Sequence, residues 1–267
     1  MSSVIDAKPP AAQGPEDDIH LSLRDHLLEL RKRLMWAIAW LGVGFGLCWT
    51  KSQEIYGFLT APVIAALPEA QRSQGLNFSV LTEPFFVYLN VALYGGLFLA
   101  APAILWQIWA FVGPGLYRHE KQKVLPFVLI ATFLFIGGAA FCYFVILPPA
   151  FKFLIDSAGE GIHPLLMMDA QLPLVMSLLV AFGLVFELPL IITFLAMVGV
   201  VDTKFLRKYR RHAIVLNVLI AAIVTPTGDP FNLALMAIPM MLCYELGVLG
   251  AWIFGKKKPA LEAVPPP

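Results

Sequence analysis

Charge is scarce in this sequence: 14% of its 267 residues are Asp, Glu, Lys or Arg, against about 25% in a typical soluble domain. Apolar residues make up 59%, with 20 Phe and 6 Trp, and the mean hydropathy is +0.76. So little polar surface cannot coat a water-soluble globule of this length. A cytosolic globular enzyme and an intrinsically disordered chain are both excluded. Cysteine is scarce too. Cys48, Cys142 and Cys243 lie inside apolar runs at spacings that suit neither a metal nor a bridge, so they read as packing residues.

Motifs of energy coupling and catalysis are also missing. Gly250 to Lys256 has the spacing of a phosphate-binding loop, but Lys257 stands where a magnesium-holding Ser or Thr is required. His119–Glu120 opens an H-E-x-x-H pattern, and Lys123 takes the place of its second histidine. No Ser–His constellation suggests an intramembrane protease. The expectation is therefore no catalytic residue, no metal, no cofactor and no nucleic-acid partner.

What is present is length in apolar runs. A bilayer core needs about 20 apolar residues in a helix. Six stretches approach or exceed this, at roughly 34–51, 86–111, 124–147, 172–198, 213–225 and 233–254, the fifth being short. The sequence predicts an all-α integral membrane protein with six transmembrane helices. Residues 1–21 read as a disordered tail, 22–254 as the membrane domain and 255–267 as a second tail. Gly42 and Gly46 form a G-x-x-x-G pair, and Gly95–Gly96 and Gly137–Gly138 are further sites of close helix approach.

Basic residues alternate between connections. Segments 1–33, 113–123, 199–212 and 255–267 hold 5, 3, 5 and 3 of the 19 Lys/Arg, whereas 52–85 and 148–171 hold Arg72 and Lys152 alone. The positive-inside rule then puts both termini in the cytoplasm, which agrees with an even number of spans. No internal repeat is visible, which weighs against a transporter built from inverted repeats.

A few carboxylates occupy unusual places. Residues 23–34 predict an amphipathic helix with Leu23, Leu27, Leu30 and Leu34 on one stripe and His26, Glu29 and Arg33 on another face. Glu29 and Arg33 could be no more than an i,i+4 pair on a membrane-surface helix. Glu120 is the only acid among Arg118, Lys121 and Lys123 in its loop, where it could simply neutralise them. Read together, two carboxylates on one cytoplasmic face could each take a guanidinium in a two-bond fork that lysine cannot reproduce. Glu187 and Glu245 fall near the middle of apolar spans, and Gln107 is a further polar residue within the second. Acids at that depth face a bundle interior, a wet cavity or a partner helix.

The run His26-Leu27-Leu28-Glu29-Leu30-Arg31-Lys32-Arg33-Leu34 resembles the amino-terminal signature of TatC, the multi-span subunit of the twin-arginine protein translocase. The likeness continues through Glu83-Pro84-Phe85, the run from Ala101 to Phe111, Leu116-Tyr117-Arg118-His119-Glu120 and Phe186-Glu187-Leu188-Pro189. It closes with Thr225-Pro226, Asp229-Pro230-Phe231 and Tyr244-Glu245-Leu246-Gly247. The resemblance implies a multi-pass protein of the bacterial cytoplasmic (inner) membrane that binds Arg-Arg signal peptides. Such a protein exports folded cargo with single-span Tat partner subunits, in a multimeric complex driven by the proton-motive force. By the same resemblance, Glu29 and Glu120 receive the arginine pair, and Glu187, with Thr225 a possible neighbour, docks the partner helices. Two features depart from the family pattern: the loop Thr225-Pro226-Thr227-Gly228-Asp229 is one residue longer, and Leu233 replaces a frequent glutamine. The alternative of another class is a proton-coupled transporter of a small solute, titrating at Glu187 and Glu245.

Overall fold

The structure, a computed structural model, describes residues 23–72, 75–112, 124–157, 159, 165–225 and 229–255. Apart from one parallel bridge between Asn77 and Met167, the described residues form helices, turns and loops. Four spans meet the length and hydropathy of a membrane crossing: α4 (Glu83–Val112), α5 (Val124–Phe141) running on into α6 (Leu147–Asp156), α7 (Met168–Phe186) with α8 (Leu188–Val198), and α11 (Pro230–Phe254). A fifth is α1 (Leu23–Trp49), which turns through 87° into α2 (Ser52–Ala66); a single turn, α3 (Glu69–Arg72), follows. The sixth is α10 (Arg210–Val224), preceded by the short α9 (Thr203–Lys208). At 15 residues, α10 is about 22 Å long and needs a locally thin bilayer or help from its flanks. The fold is thus all-α with six membrane-spanning segments.

The exterior of these helices is apolar. Phe133, Phe144, Leu184 and Ile223 are all exposed large hydrophobics, a pattern suited to lipid or to another membrane helix. The principal core lies between α2, α4, α7 and the α5–α6 junction, where Val91, Cys142, Leu147, Leu172, Val175 and Phe182 are fully buried. The junction is a π-helical turn, Cys142–Ile146, followed by Pro148 and Pro149 in the first turn of α6. The missing proline amides there loosen the regular ladder.

Contacts distant in sequence sort the connections onto two faces. At one face the His26 ring stacks on Phe111 with centroids 4.4 Å apart, and the Tyr244 hydroxyl donates to the Leu206 carbonyl at 2.9 Å. At the other, Trp49 meets Phe85, Phe153 stacks on Phe231 at 4.5 Å, and Asn77 pairs with Met167. The second face is fastened by Glu83. Its Oε2 accepts from the Ser79 amide and hydroxyl (2.8 and 3.1 Å) and its Oε1 from the Asp169 amide (3.2 Å), tying the entry of α4 to the start of α7.

Two expectations are corrected, and one connection proves to be structured. The amphipathic segment 23–34 is not a separate surface helix but the first turns of α1, continuous with the first span. Good helix formers without Gly or Pro from Leu23 to Leu41 give the chain no reason to break. The connection 52–85 holds α2, with Leu59, Thr60, Pro62 and Val63 buried against the core. Close helix approach uses Gly44 and Gly96, where a Cβ on Gly44 would fall 2.5 Å from the Gly96 carbonyl oxygen. Nothing approaches Gly42, Gly46 or Gly137 in this way, whereas Gly138 lies against Phe182 and Phe186.

Candidate functional site

Antiparallel packing of α1 on α4 builds the site. The Gly44–Gly96 contact draws the last turns of α1 onto the middle of α4, and the His26–Phe111 stack joins their ends on one face. Between them opens a groove of about 550 Å³ lined by Leu28, Glu29, Lys32, Arg33, Trp36 and Gln107. Glu29 and Arg33 are one turn apart, and Arg33 donates to Glu29 Oε1 from Nε (2.9 Å) and Nη2 (2.6 Å). Both side chains are about one-quarter exposed. The groove therefore offers a carboxylate already paired with a guanidinium, the ammonium of Lys32, an amide at Gln107 and an apolar wall at Leu28 and Trp36. Among its described lining residues no nucleophile is paired with a base.

The other expected residues fall in different places. Glu120 lies outside the described residues, eight positions beyond Val112 at the end of α4. Gln107, expected only as an intramembrane polar group, faces the same groove as Glu29. Glu187 is the hinge between α7 and α8 and is 5% exposed. Pro189 supplies no amide, so the ladder is interrupted there; the Glu187 carbonyl accepts from the Ile191 amide at 2.9 Å. Its Oε1 is buried without a hydrogen-bond partner among the described residues.

Thr225 does not join Glu187. It caps the far end of α10, donates to the Ala221 carbonyl at 2.7 Å with Met236 Sδ equally near, and shares a small cavity with Leu174 and Leu178 of α7. Leu178 precedes Glu187 by nine residues, about 13 Å of helix. Glu245 is not isolated: Arg210 Nε donates to its Oε1 at 2.5 Å, and the carboxylate side chain is 39% exposed. The sequence offered no sign of the Arg210 partner, since 35 residues separate the pair.

A profile of the family described as Sec-independent protein translocase protein (TatC) matches residues 25–239. The chain belongs to the TatC family. Among curated TatC relatives, that of Desulforapulum autotrophicum is 42% identical over 238 residues, 89% of this chain and 87% of the relative. The Escherichia coli K12 TatC is 38% identical over 223 residues, 84% of this chain and 85% of its own. A crystal structure of the twin arginine translocase receptor TatC superposes with a TM-score of 0.74 at 36% identity, covering 86% of this chain and 99% of that one. The residues matched by the family profile, 25–239, include the groove-lining residues from Leu28 to Gln107. The match establishes a multi-pass membrane protein of a protein-transport family rather than of an enzyme family.

Proposed function

We propose that the chain is the receptor and core subunit of a twin-arginine translocation system in a bacterial cytoplasmic membrane. It binds Arg-Arg signal peptides and exports folded proteins at the expense of the proton-motive force, together with single-span Tat partner subunits. The observation that carries this reading is the Glu29 groove, because it already accommodates a guanidinium on a carboxylate beside an apolar wall. Arginine holds such a site with two donors in a fixed plane, and the ammonium of lysine cannot match that geometry. Glu120 supplies the second carboxylate, and both belong to the cytoplasmic face, where the Lys/Arg-rich segments lie. Glu187, buried at the α7–α8 hinge, receives a partner's transmembrane helix.

The test is site-specific crosslinking of an Arg-Arg signal peptide to the purified chain in membranes, with photoreactive residues at Leu28 and Trp36. The expected result is crosslinking that a Lys-Lys peptide does not give and that Glu29→Lys removes. Equal crosslinking by both peptides would overturn the receptor assignment.

A further inference from the structure

A second groove, of about 530 Å³, lies between α9, the start of α10 and the last turns of α11, away from the Glu29 site. Leu206, Arg207, Arg210, Glu245, Val248, Leu249 and Trp252 line it. Its chemistry is divided. At one rim stand two guanidiniums, of which only Arg210 is matched, through Nε, by the Glu245 carboxylate. Arg207 is exposed and has no ion-pair partner among the described residues. The rim thus keeps one uncompensated positive charge. Lys204, Lys208 and Arg211 add to the field around it, and the nearby acid, Asp202, is turned into α9 as its N-terminal cap. Below the rim the wall is apolar, and two of its members, Leu249 and Trp252, are exposed on a helix that crosses the bilayer.

A single negative charge above an aliphatic body fits that profile, with the indole of Trp252 at the level where such rings settle in membranes. A basic pocket between transmembrane helices at the charged face of a membrane is the usual setting for an anionic headgroup. The geometry points to a binding site for one anionic phospholipid, its phosphodiester on Arg207 and the free Nη groups of Arg210 and its acyl chain along Val248, Leu249 and Trp252. The lipid would brace α9 and the short α10 against α11 where the protein supplies few polar contacts of its own. The Tyr244–Leu206 hydrogen bond and the Arg210–Glu245 pair join these elements.

The experiment places the full chain in phosphatidylcholine nanodiscs containing increasing fractions of spin-labelled phosphatidylglycerol or, separately, spin-labelled phosphatidylcholine. Quenching of Trp252 is the difference between the parent and Trp252→Phe. The expected result is half-quenching by phosphatidylglycerol at about a fivefold lower mole fraction, the attraction of one basic residue near the surface. Arg207→Gln brings the two curves together, and Arg207→Lys keeps them apart. Excess inorganic phosphate leaves the phosphatidylglycerol curve in place. Coincident curves in the parent, or an undiminished gap in Arg207→Gln, would overturn the site. Loss of the preference in inorganic phosphate would make it a site for free anions and overturn the lipid assignment.

Discussion

Arg33 places both Nε and Nη2 on a single oxygen of Glu29, at 2.9 and 2.6 Å. The pair stands in the groove proposed to receive an arginine, so the chain's own guanidinium already occupies that carboxylate. On that proposal, binding is an exchange of one guanidinium for another. An i,i+4 pair of this kind contributes about 0.3–0.5 kcal/mol, too little to block a peptide that brings its own contacts.

Removal of the internal competitor acts on every cationic peptide alike. Arg33→Gln is expected to tighten binding of Arg-Arg and Lys-Lys peptides by the same factor, about twofold, leaving their ratio unchanged. Titration of both peptides against the purified parent and variant measures it. A changed ratio would show that Arg33 itself reads the peptide.

Loss of the carboxylate has a larger effect. Glu29→Gln keeps an acceptor but loses the charge-assisted bond, at about 1.5–3 kcal/mol, or roughly ten- to a hundredfold in affinity. Glu29→Lys sets like charges together and is expected to abolish binding. Retained tight binding by a folded, inserted Glu29→Lys protein would exclude this groove as the arginine site.

Glycine substitutions on α1 separate contact from propensity. Gly44→Ala would drive a methyl group into the Gly96 carbonyl, overpacking that is expected to destabilise by about 1–3 kcal/mol. Gly42→Ala meets nothing within 4 Å and is expected to be neutral or to stabilise by up to about 1 kcal/mol through helix propensity. Thermal unfolding of the two variants in detergent tests the contrast, and equal effects would contradict the packing.

Glu187→Ala is expected to loosen partner association and impair export while leaving signal-peptide crosslinking intact. Hydrogen bonds between membrane helices are typically about 0.6 kcal/mol and at most about 2, so association should weaken rather than vanish. Co-purification of partners and peptide crosslinking, read on the same preparation, decide it. A fall in crosslinking with partner association unchanged would reassign the residue.

Orientation is tested by thiol labelling in a background without Cys48, Cys142 and Cys243. Cysteines at Thr82 and Ser157, both exposed, are expected to react with an impermeant reagent added from outside the cell, and one at Lys204 is not. The opposite pattern would reverse the topology and remove Glu29 from the compartment in which signal peptides are made.

The spans, their even number and the asymmetry of their flanks were legible in the sequence alone. Partition into a bilayer is a sum over neighbouring residues, and charge retention on one side is a count over short loops; both can be done along the chain. The Glu29–Arg33 pair was legible for the same reason, being one helical turn apart. Only the tertiary structure decided that Gln107 stands beside Glu29, that Glu245 is held by Arg210 and that Thr225 is remote from Glu187. It also decided that Gly44, not the Gly42–Gly46 pair, meets α4. Each of those depends on how two helices cross, and crossing angle and register are set by the fit of whole surfaces. That fit is a property of pairs of distant residues, which no local window along one chain contains.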